Sequence, residues 1–114
     1  MPLTIITVIE TLQFIRKAEK LMSIKERMEL INEIAINPEG GDIIPQTGGV
    51  RKMRVAREGQ GKSGSFRVIY YYYTENNPVL LFTVFGKNER ANISDAEKNA
   101  LYKVIRTIKK EMKS

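Results

Sequence analysis

The sequence predicts an α+β fold: an antiparallel sheet with two helices before its main strands and one after, in the order β-α-α-β-β-β-α. Three observations carry that expectation. Two capping boxes, Ser23 with Glu26 and Ser94 with Glu97, mark helix starts, because each pair satisfies backbone N–H groups that an opening helix leaves bare. Apolar residues recur at three- and four-residue spacing around those boxes. Between them, residues 50–85 are alternating or richly aromatic and β-branched, the signature of strands. Helices packed on one sheet are the economical way to bury such elements.

Taken in order, Thr4 to Val8 is β-branched and reads as a short first strand. Leu12, Ile15, Ala18 and Met22 then define the apolar stripe of a first helix. Ser23 opens a second, with Ile24, Met28, Ile31 and Ala35 as its stripe, and Asn37-Pro38 followed by Gly40-Gly41 closes it. Residues 42–49 read as a connecting loop. Val50 to Arg57 alternates, placing Met53 and Val55 on one face and Lys52 and Arg54 on the other. The glycines that follow suggest a hairpin tip presenting Lys62. Phe66 to Tyr73 and Val79 to Phe85 are the next strands, the latter buried on both faces, joined by a tight turn at Asn76-Asn77-Pro78. Leu101, Val104, Ile105, Ile108 and Met112 give the last helix its stripe.

The chain has 114 residues, 42% hydrophobic and 28% charged, which is one globular domain, 1–114, with a core of its own. No apolar run reaches the ~18 residues of a membrane span, and the N-terminus lacks the layout of a signal peptide. Cysteine and histidine are both absent. That removes disulfides, thiolate metal sites, and Ser-His or Cys-His catalysis. Chemistry is left to Lys, Arg, Asp, Glu, Tyr, Ser and Thr, and neither a metal nor a cofactor is expected.

Charge is concentrated. Residues 51–67 hold Arg51, Lys52, Arg54, Arg57, Lys62 and Arg67 against Glu58 alone, a net +5 out of +6 for the whole chain. Clustered cations bind polyanions by releasing condensed counterions, although a solvated basic strand face has the same composition. Ala56 to Ser63 loosely fits a phosphate-binding loop, with Ala56 in place of the first glycine. Such a loop opens a helix, whereas Gly64-Ser65 here leads into a strand, so nucleotide hydrolysis is set aside.

Four pieces in order, Thr47-Gly48-Gly49-Val50-Arg51-Lys52-Met53-Arg54, Gly61-Lys62-Ser63-Gly64, Arg67-Val68-Ile69-Tyr70-Tyr71-Tyr72 and Phe85-Gly86-Lys87-Asn88-Glu89, resemble the RelE/ParE toxin superfamily, specifically its HigB-type branch. The resemblance is strong over about residues 42 to 100. It implies a microbial-ribonuclease-like fold and a cytoplasmic type II toxin, an endoribonuclease that cuts messenger RNA in the A site of the 70S ribosome. It also implies an antitoxin partner, usually a helix-turn-helix DNA binder, which either covers the cationic sheet face or, the favoured route, packs on the helices or a sheet edge and excludes the toxin from the A site by bulk.

By the same resemblance, Arg67 matches the family's central-strand arginine, and Lys52 and Arg54 match two basic positions on the preceding strand. Attack of a 2′-hydroxyl on the adjacent phosphate needs a base, cations for the phosphorane charge, and an acid for the leaving oxygen. Lys52 is the candidate base, since neighbouring cations lower a lysine's pKa. Arg67 and Arg54 suit the phosphate, and Lys87 stands where the family often has a basic residue beside the site. Arg51, Arg57 and Lys62 are candidate RNA contacts, with Tyr71 the candidate from a largely structural tyrosine run to stack on a base. Glu89 reads as an ion-pair partner before it reads as a base. Asn88 and Ser94 depart from the arginine and stacking tyrosine of many relatives, and the identity of base and acid stays open. Two other functions compete: a non-catalytic inhibitor on the same scaffold, as in ParE-type gyrase poisons, and a plain RNA-binding module.

Overall fold

The computed structural model describes residues 6–57, 61–74, 78–86 and 88–112. The elements are β1 (Val8–Glu10), α1 (Leu12–Leu21), α2 (Ile24–Ile36), β2 (Asp42–Ile43), β3 (Arg51–Arg57), β4 (Gly61–Tyr71), β5 (Val79–Gly86) and α3 (Asp95–Met112). The class is α+β, as the sequence predicts. One five-stranded sheet carries all the strands, in the order β1-β5-β4-β3-β2.

Two features of the sheet depart from expectation. β2 to β5 pair antiparallel, but β1 runs parallel to β5, with Val8 opposite Val79, so the sheet is mixed. Residues 42 and 43, read as loop, are a strand, because Asp42 pairs with Lys52 and Ile43 with Arg51. The first strand also lies later than Thr4–Val8, and Thr4 and Ile5 fall outside the described residues. Thr11 shows why the strand is anchored there. Its backbone N–H and its Oγ1 both donate to Leu81 O, at 3.1 and 2.8 Å, and Oγ1 accepts from Phe14 N–H at 3.3 Å. One residue thus closes the β1–β5 edge and caps α1. Of the turn at Asn76-Asn77-Pro78, both asparagines lie outside the described residues, but the strands on either side pair as expected.

Side chains alternate across the sheet, and each face has its own core. On one face Phe14 and Ala18 of α1 and Leu30 and Ile34 of α2 pack on Met53, Val68, Tyr70 and Leu81. On the other, Ile105 of α3 joins Val50, Ile69, Tyr71 and Phe85. The expected stripes hold in part. Ala18 and Ile105 are fully buried as expected, but Leu12, Ile24, Met28 and Val104 are exposed, and Phe14, Leu30 and Ile34, outside those stripes, are fully buried. α1 and α2 each carry more apolar residues than one face can cover. The sheet selects Phe14 with Ala18, and Leu30 with Ile34, each pair spaced by four.

Both capping boxes are formed. Ser23 Oγ accepts from Glu26 N–H while Glu26 Oε1 accepts from Ser23 N–H. Glu97 does the same with Ser94 and is also gripped at both carboxylate oxygens by Arg90, at 2.6 and 2.9 Å. The Arg90 hydrogen bond, and then the Ser94 cap, hold the Glu97 carboxyl at about 2, against an ordinary 4.5.

A depressed carboxyl stabilises the fold above its unfolded pKa, and that contribution is lost as pH falls from about 4.5 towards 2. Denaturant titrations across that window should therefore show a smaller acid loss for Glu97→Gln than for wild type. The size stays modest because both partners are about one-third exposed. Parallel acid curves for the two proteins would contradict it.

Candidate functional site

Alternation on β3 sends Met53 and Val55 into the helical core and Lys52 and Arg54 to the opposite face. On β4 the same rule places Arg67 on that face, directly across from Arg54, with Phe85 of β5 on its other side. Asp42 stands across from Lys52 on the edge strand β2. These four side chains line an open depression of about 320 Å³. α3 packs on the same face over Ile69, Tyr71 and Phe85, and no α3 residue lines the depression.

Two arginines face each other across one rung of the sheet. Like charges there destabilise the pairing, so the arrangement works against the fold unless an anion sits between them. Arg67 is the better fixed: β4 is paired on both sides, and its Nη1 donates to the buried Ser65 Oγ at 2.8 Å. Among the described residues, no salt bridge engages Lys52, Arg54 or Arg67. A planar guanidinium offers two parallel donors to phosphate oxygens, and a lysine adds a compact charge. The depression therefore suits a phosphodiester.

The edge that carries Asp42 is held from the other side of the sheet. Tyr70 is fully buried, and its hydroxyl donates to Pro38 O at 2.8 Å and accepts from Gly41 N–H at 3.0 Å. Arg51, the cross-strand neighbour of Tyr70, donates through Nη1 to Gly41 O and Glu39 O, at 2.8 and 3.0 Å. A Cβ on Gly41 would lie 2.7 Å from the Tyr70 hydroxyl and 2.9 Å from Lys52 O, so only glycine allows this approach. The connection back to β3 is equally constrained. Thr47, fully buried, donates from Oγ1 to Ile44 O and accepts from Val50 N–H, and Gly48 takes a φ of 81° beneath Ile105.

The structure brings together Arg67, Lys52 and Arg54. It places Arg51 on the opposite face, as a latch on residues 39–41. Tyr71 is also away from the depression. Its ring is 2% exposed in the core beneath α3, where burial and then Tyr73 push its hydroxyl pKa up, so no base can stack on it as packed. Tyr73, parallel to Tyr71 at 6.2 Å and 37% exposed, reaches solvent instead. Arg57 ends β3 and Lys62 lies in β4, but their side chains are outside what is described, and Lys87 lies outside the described residues altogether. Gly61 to Ser63 are strand, so no phosphate-loop helix follows them. Glu89 is paired with Lys17 of α1 at 2.6 Å. Ser94 is a helix cap. Asp42 is the residue sequence reasoning missed: its partner Lys52 is ten positions away, and only the 44–50 turn aligns them.

In comparison with known families, the family model described as the RelE toxin of the RelE/RelB toxin–antitoxin system matches residues 7–114.

The Tyr70 hydroxyl contacts generate a prediction. Tyr70→Phe strands Pro38 O and Gly41 N–H and should cost about 1–3 kcal/mol at neutral pH, measured by chemical denaturation. Burial, outweighing Gly41 and Arg51, raises the Tyr70 pKa above its ordinary 10.0. The neutral phenol's stabilising contribution is thus complete below pH 10 and declines as pH rises towards the folded value. The gap between wild type and Tyr70→Phe should therefore narrow above pH 10. A gap constant to pH 11 would contradict it.

Proposed function

Since the chain belongs to the RelE toxin family, we propose that it is a ribosome-dependent, metal-independent messenger-RNA endoribonuclease of the HigB type, held inactive by a cognate antitoxin. RelE-family toxins belong to toxin–antitoxin systems and are generally translation inhibitors that cut messenger RNA. The observation that supports the finer reading is the cross-strand pair of Arg54 and Arg67, joined by Lys52 in one open depression.

Cleavage by the neighbouring 2′-hydroxyl passes through a five-coordinate phosphorane carrying more negative charge than the ground state. Donors fixed before the reaction stabilise that charge without reorganising, and each is worth about 2.7–4 kcal/mol. In this reading Arg67 and Arg54 hold the non-bridging oxygens. Arg67 does most, because its strand is central and its guanidinium is already tethered to Ser65. Lys52 handles a proton, with Lys87 as a further cation of the catalytic site, and Arg57 and Lys62 contact backbone phosphates. Among the described residues the site is open and offers no wall to bend a single strand into line for attack. Imposed geometry is worth several kcal/mol, and the ribosome supplies it by holding the messenger in the A site.

Two measurements test this. Purified toxin added to ribosomes programmed with a defined messenger should yield new 5′ ends, mapped by primer extension, while naked RNA is cut poorly. Arg67→Ala, folded by circular dichroism, should slow cleavage by about 10²–10³-fold. Growth arrest without RNA ends would point instead to a non-nucleolytic inhibitor on the same scaffold. Naked RNA should still bind, with a steep salt dependence. For single strands log K falls by about 0.7 per phosphate contact against log salt, so Lys52→Ala with Arg54→Ala should flatten the slope by about 1.4. An unchanged slope would show that RNA lies elsewhere on the protein.

A further inference from the structure

We propose that Asp42 is the general base of the cleavage reaction, an assignment that rests on the endoribonuclease reading above. Among the described residues, Asp42 is the one carboxylate lining the basic depression, alongside Lys52, Arg54 and Arg67. It is exposed on the edge strand β2, open to a ligand in the depression. Its position is nevertheless tightly set. Gly41 beside it is clamped by the Tyr70 hydroxyl and Arg51, and the 44–50 turn places it opposite Lys52.

The chemistry divides naturally between those two facing residues. At neutral pH a carboxylate accepts protons and hydrogen bonds, whereas an ammonium only donates them. Asp42 takes the proton from the 2′-hydroxyl as the 2′ oxygen bonds to phosphorus. The bond from phosphorus to the 5′ oxygen breaks, and Lys52 gives its proton to that leaving oxygen. The products are a 2′,3′-cyclic phosphate and a 5′-hydroxyl end. Asp42 is left protonated and Lys52 neutral, and proton return from one to the other through solvent resets the site. Without histidine in the chain, a carboxylate facing a lysine supplies both proton-transfer partners. Among the described residues, the groups facing Asp42 are Lys52 and Arg54 from β3 and Arg67 from β4, with Arg51 and the Tyr70 hydroxyl behind the strand.

The test is single-turnover cleavage of ribosome-bound messenger between pH 6.5 and 9, with wild type, Asp42→Asn, Asp42→Glu and Arg67→Ala. Asp42→Asn should lower the chemical rate on the order of 10²–10⁴-fold. RNA affinity should hold or tighten, because a negative charge leaves a cationic site. With the base gone, hydroxide must take the proton, so the residual rate should climb about tenfold per pH unit, a slope that mere loss of positioning does not produce. Asp42→Glu should keep part of the rate. Asp42→Asn at the wild-type rate, a loss of affinity instead of rate, or a slowed reaction without that pH slope would each overturn the assignment. If wild type cuts and Arg67→Ala does not, while Asp42→Asn is unimpaired, this inference fails and the endoribonuclease reading stands. If wild type leaves the messenger intact, that reading fails first and takes the assignment with it.

Discussion

The contact on which the site most depends is made by a buried phenol. Tyr70 comes off the central strand into the helical core and ends against the backbone of residues 38–41, where its hydroxyl is satisfied in both directions. That contact does two things at once. It closes the open end of the core behind α2, and it holds the approach to β2 so that Asp42 emerges on the far side of the sheet opposite Lys52. Arg51 reinforces it from the neighbouring strand. A cation that composition alone would assign to RNA instead braces the scaffold, because the parity of the strand sends it to the same face as Tyr70.

Covering both faces of the sheet gives the site its rigidity. β4 and β5 are buried on each side, so Arg67 projects from backbone that packing and two ladders hold in place. Function and stability conflict most openly at the rung shared by Arg54 and Arg67, where like charges oppose each other and no described carboxylate forms a salt bridge with either. The charge density that would suit the depression to a phosphate is therefore an electrostatic load that the surrounding core must carry.

Legibility followed the range of the interactions. Capping boxes are local, since donor and acceptor lie three residues apart, and both formed where Ser23 and Ser94 announced them. Strand alternation is local too, and it put Lys52 and Arg54 on one face. Helix orientation is not local. α2 offers two apolar stripes, and residues such as Ile24 and Met28 were as plausible a core as Leu30 and Ile34 until the sheet chose between them. Tyr71 misled for the same reason: an aromatic on a strand suits a stacking platform or a core, and only the arrival of Ile105 from α3 decides which.

The sequence alone determined the helices and the longer strands, the α+β class and the clustering of cations, because these depend on residues close together in the chain, and its composition excluded histidine and cysteine chemistry. It also carried the family resemblance, which the match over residues 7–114 bears out. Tertiary structure decided the rest. The parallel edge at β1 depends on Thr11 meeting Leu81, seventy positions away. The carboxylate in the basic depression depends on a two-residue strand too short to leave a period in the sequence. Both are contacts between distant segments, made only when packing closes the loops between them, and no local pattern encodes where such loops close.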